Sequence, residues 1–169
     1  ISLIGSWLVN EENGTITLGF ADSGMKIALF GVDKIDLTDR DRVREYFHTV
    51  HHEYCHIVNQ KKPYSDEFAK ITPSGYTAVW NNHTDAEALQ LGFISAYARA
   101  NNIEDFAEMT AHMLIMGKTA WDTKINAITS ATGKEALRKK EAFVVNYFKS
   151  EWNIDFYELQ AEVQRKIQQ

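Results

Sequence analysis

The hydrophobic patterning of the chain changes near residue 38, and this change limits the possible folds more than any other feature. Before it, apolar runs at 1–9, 15–20 and 25–32 are short and divided by Glu11-Glu12-Asn13-Gly14 and by Asp22-Ser23-Gly24. Asn-Gly between two such runs is a hairpin signal, because both residues accept the positive φ that matches strand twist. Ser-Gly marks a second turn. The pattern predicts three short strands, the last at Lys26–Phe30. After residue 38 the apolar residues recur at spacings of three and four, as on one face of a helix. Thr38 or Asp39 can cap a helix carrying Val43, Phe47, Val50, Tyr54 and Val58 as a buried stripe. Lys61-Lys62-Pro63 ends it. A long, partly irregular connection at 63–82 follows, of the kind that often lines a cleft. Further helices are predicted at 85–91, 94–100, 103–116, 121–130, 134–149 and 154–167, the third capped by Asn102. The expectation is one α+β domain over 1–169, strand-rich over 1–37 and mostly helical over 38–169.

Composition serves mainly to exclude. With 44% hydrophobic and 12% aromatic residues and only two prolines, the chain can bury a core and is not a disordered segment. No apolar run approaches the roughly 20 residues of a membrane-spanning helix. A net charge of −5, without a basic block, gives a nucleic-acid surface no support. One cysteine cannot form an internal disulfide. The chain begins at Ile1, so any targeting segment is expected upstream of it.

The chemically informative stretch is His52-Glu53-Tyr54-Cys55-His56. On a helix, residues four apart share a face one turn apart, so two imidazoles can reach one ion. Glu53 is rotated away from them and can take a proton from a water polarised by the metal. His48, His52 and His56 share a face. Eight residues of helix nevertheless span about 12 Å, so all three cannot bind one ion at Zn–N distances of about 2 Å. His48 and His51 therefore read as surface or supporting histidines, and Cys55 as a small buried hydrophobe. A catalytic zinc needs a third protein ligand. Glu104 and Glu108, again four apart, are the candidates, on a helix whose Phe106, Met109, Met113 and Leu114 can enter the core. The plainer alternative is that Glu104 and Asp105 merely favour the positive end of a helix. Phe143, Tyr147, Phe148 and Trp152 read as packing residues, and Arg138-Lys139-Lys140 as a solvated face.

HExxH followed by a glutamate on a second helix resembles the glutamate-type zincin metallopeptidases. His51 to Gln60, Leu91 to Ala98 and Glu104-Asp105-Phe106-Ala107-Glu108 together resemble a Bacteroidetes family of zinc metallohydrolase lipoproteins associated with TonB-dependent substrate import. The resemblance runs from about Lys26 to the C-terminus. It implies a zincin-like fold with a small antiparallel or mixed sheet and a mainly helical remainder. It also implies Zn²⁺ held by His52, His56 and Glu104, with Glu108 orienting His52 and Glu53 as general base. Tyr97, seven residues before Glu104, is similar in spacing to the oxyanion-stabilising tyrosine of the anthrax-lethal-factor type, with Tyr76 a weaker rival. The strand at Lys26–Phe30 would be the edge that aligns a peptide or protein substrate. The family further implies an extracytoplasmic protein with a lipid anchor upstream of this chain. A zincin-like lipoprotein acting only in substrate capture is the alternative, but binding alone has no need of Glu53.

Overall fold

The computed structural model describes residues 1–12, 14–22 and 25–167. Asn13 of the hairpin signal and the Ser23-Gly24 turn lie outside the described residues. The fold is α+β, with a small N-terminal sheet and a mainly helical remainder. By its internal contacts it divides into two compact units, Ile1–Pro63 and Tyr64–Gln169. That boundary follows the first long helix and does not coincide with the compositional change at 38.

In the first unit the three expected runs give five short strands. The first run carries β1 (Ser2–Ile4) and β2 (Leu8–Val9), the second β3 (Ile16–Thr17) and β4 (Gly19–Asp22), and the third β5 (Lys26–Phe30). β2 and β3 pair antiparallel, closed by Asn10 N–H on Thr15 O (2.8 Å) and Gly14 N–H on Asn10 O (2.8 Å). The other sheet has the order β1-β5-β4, with β1 parallel and β4 antiparallel to β5. This corrects the expected edge strand. Lys26–Phe30 is hydrogen-bonded on both sides and has no edge to offer a peptide, whereas β4 is an outer strand.

Helix α1 (Arg40–Lys61) begins where the Asp39 carboxylate accepts from the N–H groups of Asp41 (3.0 Å) and Arg42 (3.1 Å). It satisfies donors that a first turn leaves unpaired. The predicted apolar stripe is not its buried face. Tyr54 is 57% exposed and Phe47 38%, with Val43, Val50 and Val58 half-buried. The buried positions are Tyr46, Thr49, His52, Glu53, Cys55 and Asn59. Periodicity locates an apolar face, but the sheet decides which face is covered. Tyr46 donates its hydroxyl to the carbonyls of Phe30 (3.1 Å) and Gly31 (2.8 Å), which turns the polar face inward.

The second unit contains α2 (Asp85–Gln90), a 3₁₀ turn (Tyr97–Arg99), α3 (Asn102–Asn126), α4 (Ala131–Trp152) and α5 (Phe156–Ile167). The connection before α2 is partly core. Tyr64 stacks on Phe106 at 4.2 Å, and Phe68 is fully buried among Phe106 and Phe143. The helix expected at 94–100 is only the short 3₁₀ turn, because Ser95 Oγ accepts from Ala98 N–H (3.1 Å) and Ala96 N–H is drawn to Asp85 Oδ1 (2.7 Å). The two helices expected at 103–116 and 121–130 are present as the two helical stretches of α3, divided at Gly117, whose φ of 74° and ψ of 164° are not helical. α5 takes up carbonyls before the kink: Gln160 Nε2 donates to Met113 O (2.6 Å), and Gln164 Nε2 to Leu114 O (2.6 Å) and Ile115 O (2.8 Å). Phe106, Met109, Met113 and Leu114 are buried as expected. Among the described residues, no helix is long and apolar enough to cross a membrane.

Candidate metal centre

In the first unit, α1 places the rings of His52 and His56 one turn apart, with centroids 4.7 Å apart and planes at 85°. Their Nε2 atoms are 3.1 Å apart. Two nitrogens on one tetrahedral zinc, each at about 2.05 Å, stand about 3.3 Å from one another. The pair therefore converges as zinc ligands must, and the donor chemistry fits. His48 is the next turn along, with its ring 6.2 Å from that of His52. His51 is half-buried, and burial pulls its imidazole below the ordinary 6.5. Cys55 is buried, outside any disulfide, and its sulfur accepts from Asn59 Nδ2 at 3.7 Å.

Glu53 is only 7% exposed. Strand β4 runs tightly over it: a Cβ on Gly19 would come within 2.8 Å of Glu53 Cγ and 3.0 Å of Thr49 Cγ2. Gly19 is thus the residue that lets an outer strand lie directly against the candidate base. Sequence reasoning missed it, since nothing in 15–20 signals a close approach.

In the second unit, Asn101, and not the expected Asn102, caps α3. Its side-chain oxygen accepts from Ile103 N–H (2.9 Å) and Glu104 N–H (3.0 Å). Glu104 is half-buried in this first turn, while Glu108, one turn on, is 5% exposed. Ser95 donates its hydroxyl to Glu108 Oε2 at 2.5 Å, and His112 Nδ1 lies 3.8 Å from the same oxygen. Tyr97 is half-buried, edge-on to Trp80 at 4.8 Å. The Tyr76 hydroxyl is committed elsewhere, donating to Asp105 Oδ2 (2.9 Å), and burial together with the Asp105 charge pushes its pKa well above 10.

The Arg138-Lys139-Lys140 run is not a solvated face. Lys139 is exposed, but Lys140 is fully buried with its Nζ 2.7 Å from Asp105 Oδ2. Burial raises the Asp105 carboxyl to about 6 against the opposing pull of Lys140, and burial lowers Lys140. A signal for this was present. Lys140 stands midway between Ala136 and Val144, with Phe148 one turn further, on the apolar face of its helix.

The converging histidine pair on α1 makes a candidate metal centre. Residues 1–157 match the family model described as "putative zinc-binding metallo-peptidase", and the chain belongs to that family. A crystal structure of a "putative zinc-binding metallo-peptidase" from Bacteroides caccae ATCC 43185 is 32% identical, with a TM-score of 0.76. The match covers 96% of this chain and 59% of that one, so the present chain spans well under two thirds of that relative. A comparison with curated proteins found no match.

Proposed function

We propose that the protein is a zinc-dependent peptidase of the HExxH-plus-glutamate type, with His52, His56 and Glu104 as the residues that hold Zn²⁺. The observation that carries the reading is the 3.1 Å convergence of the two imidazole nitrogens beside a buried glutamate. When bound, zinc supplies a Lewis acid that polarises a carbonyl and brings the pKa of water from about 15.7 towards 7. Glu53 takes the proton from the attacking water and returns it to the leaving amine; a general base of this kind contributes about 10²–10⁴-fold. Tyr97 donates to the oxyanion, and Glu108 orients His52. In place of β5, β4 aligns an extended peptide by main-chain hydrogen bonds along its outer side. The extracytoplasmic, lipid-anchored address and the association with a TonB-dependent importer are part of the same proposal.

Metal analysis of the purified protein, combined with a peptide-library digest, tests it. One zinc per chain and defined cleavage products are expected. Glu53→Ala should keep its zinc and fold and lose cleavage, because Glu53 handles protons and not metal. Cleavage by this variant at the wild-type rate would end the mechanism.

A further inference from the structure

We infer that Lys140 and Tyr76 are positioning residues for Glu104, acting through Asp105 to fix the first turn of α3. The inference rests on the reading of Glu104 as a metal ligand. Asp105 and Lys140 are both 0% exposed. Lys140 Nζ reaches Asp105 Oδ2 (2.7 Å) and the carbonyl of Gly92 (2.8 Å), and lies 3.8 Å over the Phe93 ring. The Tyr76 hydroxyl donates to the same Oδ2 at 2.9 Å, and its ring meets Phe93 edge-on at 5.2 Å. One carboxylate oxygen thus receives two donors, one from α4 and one from the connection before α2. Gly92 can present its carbonyl because its φ is 86° and because a Cβ there would come within 2.6 Å of the Ala136 side chain.

Stability alone does not call for this arrangement. Replacing a buried ion pair by neutral residues of similar volume is often neutral or stabilising. What hydrophobic packing lacks is direction. A metal ligand must be held to within about 0.5 Å, by side chains that are themselves locked. The first turn of a helix is its least constrained part, lacking hydrogen-bond partners for its N–H groups. Here Asn101 caps that turn, and Asp105 anchors it at the residue next to Glu104. One turn later, the same 92–98 segment holds Glu108 through Ser95. Adjacent helical residues share a rigid backbone, so anchoring Asp105 sets where the Glu104 carboxylate starts.

The test compares wild type, Glu104→Ala, the charge-balanced double variant Asp105→Asn/Lys140→Met, and Tyr76→Phe. Zinc affinity is read by competition with a chromophoric chelator, and ligand geometry by the visible spectrum of the Co²⁺-loaded protein. The double variant keeps an acceptor for Tyr76 and should melt near wild type. Its zinc affinity should fall on the order of 10–100-fold, as when a metal ligand loses its supporting partner. Its Co²⁺ spectrum should change, and kcat should fall more than KM rises. Wild-type affinity with an unchanged spectrum overturns the inference. If the double variant does not fold, Tyr76→Phe decides: a loss of about threefold or more supports the positioning role, and wild-type affinity overturns it. Wild-type zinc affinity in Glu104→Ala would instead show that the ligand assignment itself had failed, and the inference with it.

Discussion

Glu104 and Glu108 sit one turn apart on α3 but are held differently. Glu108 is buried and accepts the Ser95 hydroxyl at 2.5 Å, so one of its oxygens is already engaged; Glu104 is half-buried in the capped turn. The proposal takes Glu104 as the direct ligand and Glu108 as the residue that orients His52. Glu104→Ala should lose zinc at ordinary chelator concentrations, whereas Glu108→Ala should retain it with affinity weakened by roughly 10–100-fold. Dialysis against graded chelator followed by metal analysis distinguishes them, and the opposite order would exchange their roles. The sequence could nominate both carboxylates by their spacing. Their order, Glu104 as ligand and Glu108 as the partner of His52, came from the resemblance; the Ser95 contact was not legible, because it joins residues thirteen apart across a turn that local propensity misread as a helix.

At the scale of elements, the approach of β4 to α1 is the most sensitive feature of the first unit. Gly19→Ala would place a methyl 2.8 Å from Glu53 Cγ and 3.2 Å from the carbonyl of Ala28. Overpacking of this kind costs about 1–3 kcal/mol. The expected signature is a lower melting temperature and a reduced kcat with zinc content unchanged, since Glu53 yields and the histidines do not. Wild-type kcat would mean that β4 does not control the base. In the second unit, Glu141 joins α4 to α5 through Tyr157 (3.0 Å) and to α3 through Lys118 (3.4 Å), and pairs with Arg138 of its own helix (2.7 Å). Burial alone would raise its pKa, but Trp121, Arg138, Tyr157 and the Lys118 charge together outweigh burial and hold it below the ordinary 4.5. A depressed carboxylate stabilises the fold above its unfolded pKa and loses that contribution as pH falls through the folded value. Glu141→Gln should therefore be less stable than wild type at pH 7, by about 1.5–3 kcal/mol for lost charge-assisted hydrogen bonds. The gap should narrow below about pH 4.5, which denaturant melts at several pH values would show. A gap that does not change with pH would count against this role for Glu141.

For the whole molecule, zinc binding to the native state should be linked to stability. A ligand that binds only the native state adds about 2.7 kcal/mol at a hundred times its Kd. Calorimetry should accordingly show the melting temperature fall on chelation and recover when zinc is restored. No change would mean that the metal does not hold the native state. The sequence by itself determined the class of fold, the helical setting of His52, Glu53 and His56, and the candidacy of Glu104 and Glu108. These follow from local rules: a cap at Asp39, a breaker at Pro63, and the rise of one helical turn between histidines. Tertiary structure decided what depends on partners distant in the chain. It made Lys26–Phe30 a central strand, turned the polar face of α1 inward, and drew Lys140 out of a charged run into a buried pair with Asp105. Strand order, helix facing and the pairing of buried charges are set by which surfaces meet, and one-dimensional periodicity carries no record of that.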